Sequence, residues 1–314
     1  MIFQILSKIT SEALLSLYPT IVKNINIPFD MKLWTRFMSY SLISFLFIDY
    51  KFVKENLLNK SGLLLSFITI VHIFTSYKGF EGLESGIAYT IFYTYPLIIL
   101  LLAGNKITPI MLLPLLGVAL LVYETNVENM ESKYDIENLE KNKNINRKKD
   151  ENKDENKDDN KDDNKDENKD ETKKDTTMFS LIMIFLAALT EAGLYFIVRD
   201  LKTHNNWNHL FISYFFGALL LSGSLLTKIK HISFDMLLTS SFVANSIIGL
   251  FGYLLRFYAT TRLEPSIYAP LSYIGIIMSH VYGFIFNNDI ITWKKMIGTI
   301  LILIPNIYKI IIKN

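Results

Sequence analysis

Glu12 and Glu191 each stand near the middle of an otherwise apolar run. Holding a charged side chain in lipid costs several kcal/mol. A carboxylate at that depth is therefore expected to hold a proton, a cationic solute or a neighbouring base. Lys8 lies one helical turn before Glu12 and could neutralise it. Glu191 could instead bond a neighbouring helix. Arg256 is the basic residue well inside the runs of the second half. It could hold an anionic solute, pair with Glu191, or reach the interface beside Arg262. Arg36 lies nearer a run boundary and is expected to anchor there. His72 and His280 could relay protons or bond a neighbouring helix.

Aromatic and helix-breaking residues come next. Tyr89, Tyr93 and Tyr95 share the fourth apolar run, and Tyr268 and Tyr273 share the ninth. The chain has 17 Tyr, so most of them are expected to pack or to sit at interfaces. Pro96, Pro270 and Gly275 fall in the same two runs, where a break in backbone bonding could open a polar cavity or a hinge.

Other chemistries are missing from the sequence. There is no Cys, hence no disulfide and no thiolate metal site. There is no phosphate-binding glycine loop, no His pair at zinc spacing and no Ser nucleophile context. The expectation is a protein that is not an enzyme, binds no metal or cofactor, and is not an ATP-driven pump. No short cleavable leader is evident at the N-terminus, so the first apolar run is read as a retained span.

Ten apolar runs would position these residues: 3–19, 33–48, 62–77, 85–103, 109–123, 178–198, 209–226, 236–259, 265–286 and 291–312. A bilayer core takes about 20 helical residues, and continuous runs point to helices rather than to barrel strands. The charges are concentrated elsewhere. Residues 124–175 hold 13 Lys/Arg and 19 Asp/Glu, more than half of all charges in the chain. This segment has no apolar periodicity and cannot bury enough surface to offset its ordering entropy, so it is expected to be a disordered tether. The chain thus divides into 1–123, a linker at 124–177, and 178–314.

The two halves resemble each other. Thr10-Ser11-Glu12-Ala13 matches Leu189-Thr190-Glu191-Ala192; Phe37-Met38-Ser39-Tyr40 matches Phe211-Ile212-Ser213-Tyr214; Leu83-Glu84-Ser85 matches Leu263-Glu264-Pro265. The offsets are 179, 174 and 180 residues, in the same order. A unit of five spans ends on the side opposite its start, so a second copy begins inverted. The fold expected is an all-α membrane protein of about ten transmembrane helices in two inverted five-helix repeats. Such duplications suit alternating access around a midplane cavity.

The segment from Leu263 to Leu271, then Tyr282-Gly283-Phe284 and Ile291 to Ile302, resembles the EamA-like branch of the drug/metabolite transporter superfamily. Leu83 to Pro96, Ile107-Thr108 and Leu116 to Leu121 repeat the pattern more faintly. Two departures stand out. The Glu usual in the short turns of that family is replaced by Asn105 and by Asn288-Asp289. The linker is also longer than usual. The resemblance implies a secondary transporter whose fourth and ninth spans line the cavity, which would put Tyr89, Tyr95, Tyr268 and Tyr273 there. Sugar-phosphate members usually carry Lys or Arg in those spans; here neither run has one. An amino acid or similar polar solute is the first expectation, with a nucleotide sugar or other organic anion second. A non-transporting membrane scaffold is the reading from a different class. The implied partners are the lipid bilayer, a small-molecule substrate, a coupling proton and, in a homodimer, a second copy. No nucleic-acid partner is expected.

Overall fold

The computed structural model describes residues 1–25, 27–104, 165–225 and 240–312, with isolated positions between 109 and 123. Among the described residues every regular element is helical. The first half contributes α1 (Ile2–Leu15), α2 (Tyr18–Asn24), α3 (Phe29–Phe45), α4 (Tyr50–Asn56), α5 (Lys60–Gly82), α6 (Ser85–Phe92) and α7 (Tyr95–Leu102). The second contributes α8 (Lys165–Asp200), α9 (Asn206–Leu225), α10 (Ser240–Thr260), α11 (Pro265–Ser272), α12 (Ile274–Asn287) and α13 (Trp293–Ile312).

Prolines explain several boundaries. The first apolar run is not one helix. It breaks at Ser16-Leu17, and Pro19 sits in the first turn of α2, where its missing N–H costs nothing. The fourth run breaks between Phe92 and Tyr95, with Pro96 opening α7. The ninth breaks at Tyr273, three residues after Pro270. Read through their breaks, Ser85–Leu102 and Pro265–Asn287 are long and apolar enough to cross a membrane, as are Lys60–Gly82 and Thr177–Asp200. The expected fifth run, 109–123, is described only at scattered positions.

Two segments differ from expectation. A short helix, α4, occupies the connection after α3, where the Asp49 carboxylate accepts hydrogen bonds from the Lys51 and Phe52 amides at 3.0 and 3.2 Å. Helix α8 begins at Lys165, so the end of the charged segment is helical rather than disordered. Acid-before-base spacings such as Asp170 and Lys174 favour helix, and an established apolar helix propagates cheaply into such sequence.

The helices pair across the halves. α1 packs on α10, α3 on α9, α5 on α8, α6 on α12 and α7 on α11. The resulting bundle is inside-out. Lys8 and Glu12 are fully buried, and Arg36 and Arg256 are 2% exposed, whereas Phe67, Leu220 and Phe284 are at least 60% exposed. In water that distribution would be reversed. A lipid solvent accounts for it, since apolar side chains face the tails and polar groups satisfy one another inside.

Candidate functional site

Helix α1 turns its polar side inward. Ser7, Lys8, Ser11, Glu12 and Leu15 are its buried residues, spaced three and four apart, while Ile2, Phe3 and Leu6 face out. Helix α10 does the same with Asn245, Tyr253, Arg256 and Thr260. Because α1 packs on α10, Glu12 and Arg256 meet. Glu191 arrives from α8.

The three side chains form one ion-pair chain. Arg256 Nη1 donates to Glu191 Oε1 at 2.5 Å. Its Nη2 donates to both carboxylate oxygens of Glu12, at 3.1 and 2.9 Å. Lys8 Nζ also donates to Glu12 Oε1, and the Tyr93 hydroxyl donates to Glu12 Oε2. The Tyr95 hydroxyl accepts from Lys8 at 3.3 Å, and the Lys8 ammonium stands 3.5 Å from the Tyr268 ring centroid. Two acids and two bases share this buried centre, so its formal charges cancel. The geometry answers both questions posed by the sequence. Lys8 does pair with Glu12, but so does Arg256, and Arg256 joins the two glutamates instead of reaching for the interface.

His72 adjoins this centre. Its Nε2 lies 3.1 Å from the Tyr253 hydroxyl and 3.3 Å from Glu191 Oε2, the latter without hydrogen-bond geometry. Its Nδ1 lies 3.2 Å from both the Ala187 carbonyl and the Thr190 hydroxyl.

Arg36 corrects an expectation. It does not anchor at a boundary. It points into the bundle, where its guanidinium carbon lies 4.4 Å from the ring centroid of Tyr18, 5.0 Å from Tyr253, 5.4 Å from Tyr77, 5.5 Å from Tyr40 and 5.8 Å from Tyr214. Its Nη2 donates to the Tyr214 hydroxyl at 3.1 Å, and its Nε has no hydrogen-bond partner among the described residues. Position along α3 sets depth, but packing against α9 and α10 decides which way the side chain faces. Asn245 organises the cage. Its backbone carbonyl accepts from Tyr18 at 2.9 Å and Tyr40 at 3.1 Å, and its side-chain oxygen accepts from Tyr77 at 2.5 Å. Gly249, one turn on, leaves room for the Tyr18 and Tyr40 hydroxyls, which a Cβ would overlap.

The other residues singled out from sequence lie around these two clusters. Tyr89 is buried against Tyr93, with ring centroids 4.8 Å apart. Tyr273 packs 6.4 Å from Tyr93. Gly275 is placed where a Cβ would strike the Tyr93 hydroxyl, so its smallness serves the Tyr93–Glu12 contact. Asp289 accepts from the Ser85 amide at 3.0 Å and so caps α6 from the other half, while Asn105 lies outside the described residues. His280 lies 3.2 Å from the Thr90 hydroxyl and 3.0 Å from that of Thr299. The Arg36 cage was not foreseen. One signal pointed to it: Tyr40 and Tyr214 end the second matched tetrapeptide pair, and their rings meet at 4.6 Å.

Residues 178–305 match the model of the EamA-like transporter family. No curated protein matches the chain. The family match is consistent with the drug/metabolite transporter superfamily. With the apolar helices and the inside-out burial, it makes this an integral, multi-pass membrane protein.

Proposed function

We propose that this protein carries a small polar metabolite, an amino acid or similar solute, by alternating access between two inverted five-helix repeats. The family match gives the class, a membrane transporter of the drug/metabolite superfamily. The observation that carries the mechanism is the bridge from Arg256 to both Glu12 and Glu191. Parting the halves on one side of the membrane must break the Glu12–Arg256 link, which spans them. A zwitterionic solute can take over such a link without changing the buried charge, its ammonium meeting a glutamate and its carboxylate meeting Arg256. Glu191 is the proposed place at which proton coupling would enter. Pro96, Pro270 and Gly275 flank the breaks in the fourth and ninth runs and are the proposed hinges. Tyr95 and Tyr268 line the ion-pair centre, and Tyr89 and Tyr273 back the Tyr93 ring.

The helix pairings support the inverted repeat. Exchanging spans one to five with six to ten turns the α1–α10 contact into α8–α5, maps α3–α9 onto itself, and turns α6–α12 into α11–α7. The three matched sequence pairs fall at corresponding places. Glu12 and Glu191 meet the same arginine, Tyr40 and Tyr214 meet each other, and Glu84 and Glu264 immediately precede α6 and α11.

The test is uptake and counterflow of labelled amino acids in proteoliposomes without ATP, with Glu12→Gln and Glu191→Gln as paired variants. Saturable counterflow lost in both variants is expected. Normal flux with unchanged pH dependence in both would remove the glutamates from the mechanism. No flux of any solute would favour a membrane scaffold. Organic-anion exchange is the second reading, favoured by the buried Arg36, which faces no carboxylate among the described residues.

A further inference from the structure

The described interior contains a second buried guanidinium outside the balanced centre. Lys8 and Arg256 are matched by Glu12 and Glu191, whereas no acid among the described residues lies within ion-pair distance of Arg36. Its surroundings are five tyrosine rings and Asn245. Tyrosine faces attract a cation only weakly compared with a carboxylate, and a neutral hydroxyl does not cancel its charge. Two polar groups are left open here: Arg36 Nε and Asn245 Nδ2 are both buried without a hydrogen-bond partner among the described residues. Both are donors. A site with an unmatched positive charge and two idle N–H donors is complementary to an anion with two acceptor oxygens.

The cage is also split between the halves. Arg36, Tyr18, Tyr40 and Tyr77 come from the first half; Tyr214, Tyr253 and Asn245 come from the second. Arg36 is 2% exposed, so the cage is closed here, and any movement that parts α3 from α9 and α10 would open it. It communicates with the ion-pair centre through one ring. Tyr253 lies against both guanidiniums, 5.0 Å from Arg36 and 5.4 Å from Arg256, and its hydroxyl meets His72.

We propose that the Arg36 cage is an anion-binding subsite that receives one carboxylate of the cargo, other than the one that meets Arg256. One unmatched cation calls for one negative charge, the planar guanidinium fits a planar carboxylate through two parallel N–H bonds, and the tyrosine rings suit a flat or apolar body behind it. This deepens the transport reading by naming a substrate class, but binding at Arg36 can be measured without flux.

The experiment is equilibrium binding by calorimetry to the purified full chain in detergent, using benzoate, phenyl phosphate, benzyl alcohol and benzylamine as probes. Saturable binding of benzoate is expected, at least tenfold tighter than the neutral, cationic and phosphate probes. Arg36→Gln should weaken benzoate at least tenfold, and Arg36→Lys should recover part of that loss. Asn245→Asp places an internal carboxylate among the same tyrosine hydroxyls. It should abolish benzoate binding while the melting temperature stays level or rises, which separates occupancy of the cage from misfolding. Equal affinity for all four probes, tighter binding of phenyl phosphate, or benzoate binding that survives both Arg36→Gln and Asn245→Asp would overturn the proposal. Amino-acid counterflow with no Arg36-dependent benzoate binding defeats this subsite and leaves the transport reading intact. Benzoate binding without flux does the reverse.

Discussion

Arg256 and Arg36 are the same residue type, equally buried, and only one ring apart, yet their settings are opposite. Arg256 lies between two carboxylates that use both of its terminal nitrogens. Arg36 lies among aromatic faces and meets no carboxylate among the described residues, although the Nε of both arginines lacks a hydrogen-bond partner there. The first arrangement returns the desolvation cost of its charges through mutual attraction; the second leaves most of that cost standing. The contrast separates two jobs. A balanced cluster joining the halves is suited to holding a closed state together. An unbalanced cation in a cage split between the halves is suited to receiving something from outside.

The largest expected effect tests that difference directly. Arg256→Gln strands Glu12 and Glu191 without their shared partner and should destabilise the fold by about 3–5 kcal/mol. Arg36→Gln removes an unmatched charge. Its lost cation–π contacts, about 1–2 kcal/mol, are offset by relief of desolvation, so a net change within about 1 kcal/mol is expected. Unfolding of both variants in detergent would measure this, and equal losses would erase the distinction between the two clusters.

Next comes packing around the two clusters. Gly249→Ala should cost about 1–3 kcal/mol, because the new methyl group overlaps two hydroxyls that bond the same carbonyl. Combining it with Tyr18→Phe and Tyr40→Phe should recover part of the loss. If the triple variant melts lower than Gly249→Ala alone, the crowding account is wrong.

Coupling inside the balanced centre should be of similar or smaller size. Lys8→Met and Glu12→Gln together should cost less than the sum of the single changes, with an interaction of about 0.5–3 kcal/mol. Additive losses would mean that Lys8 answers to Tyr268 rather than to Glu12. Tyr253→Phe keeps the ring between the two guanidiniums and removes only the hydroxyl near His72, so about 1 kcal/mol is expected. The smallest effect belongs to the linker. Deleting residues 141–164 should change stability by no more than about 0.5 kcal/mol and leave flux unchanged; loss of membrane insertion would show that the segment has a structural role.

The sequence by itself determined a good deal. Long apolar runs required membrane helices, the prolines marked where the fourth and ninth runs break, and the depth of Glu12 and Glu191 singled them out as interior acids. The matched tetrapeptides paired Glu12 with Glu191 and Tyr40 with Tyr214 before any contact was visible. Those signals are one-dimensional: hydropathy, backbone chemistry and spacing along a chain. What only the tertiary structure decided is who faces whom. In a membrane, apolar residues satisfy both the lipid side and much of the inner side of a helix, so hydropathy does not orient it. Arg36 was therefore given the wrong direction. That Asn245, Tyr253 and Arg256 share a buried face of α10, with α1 and α3 against it, came from the packing. Charge pairing acts through space, and the bridge from Arg256 to two glutamates, 65 and 244 residues away in sequence, exists only once α1, α8 and α10 have packed.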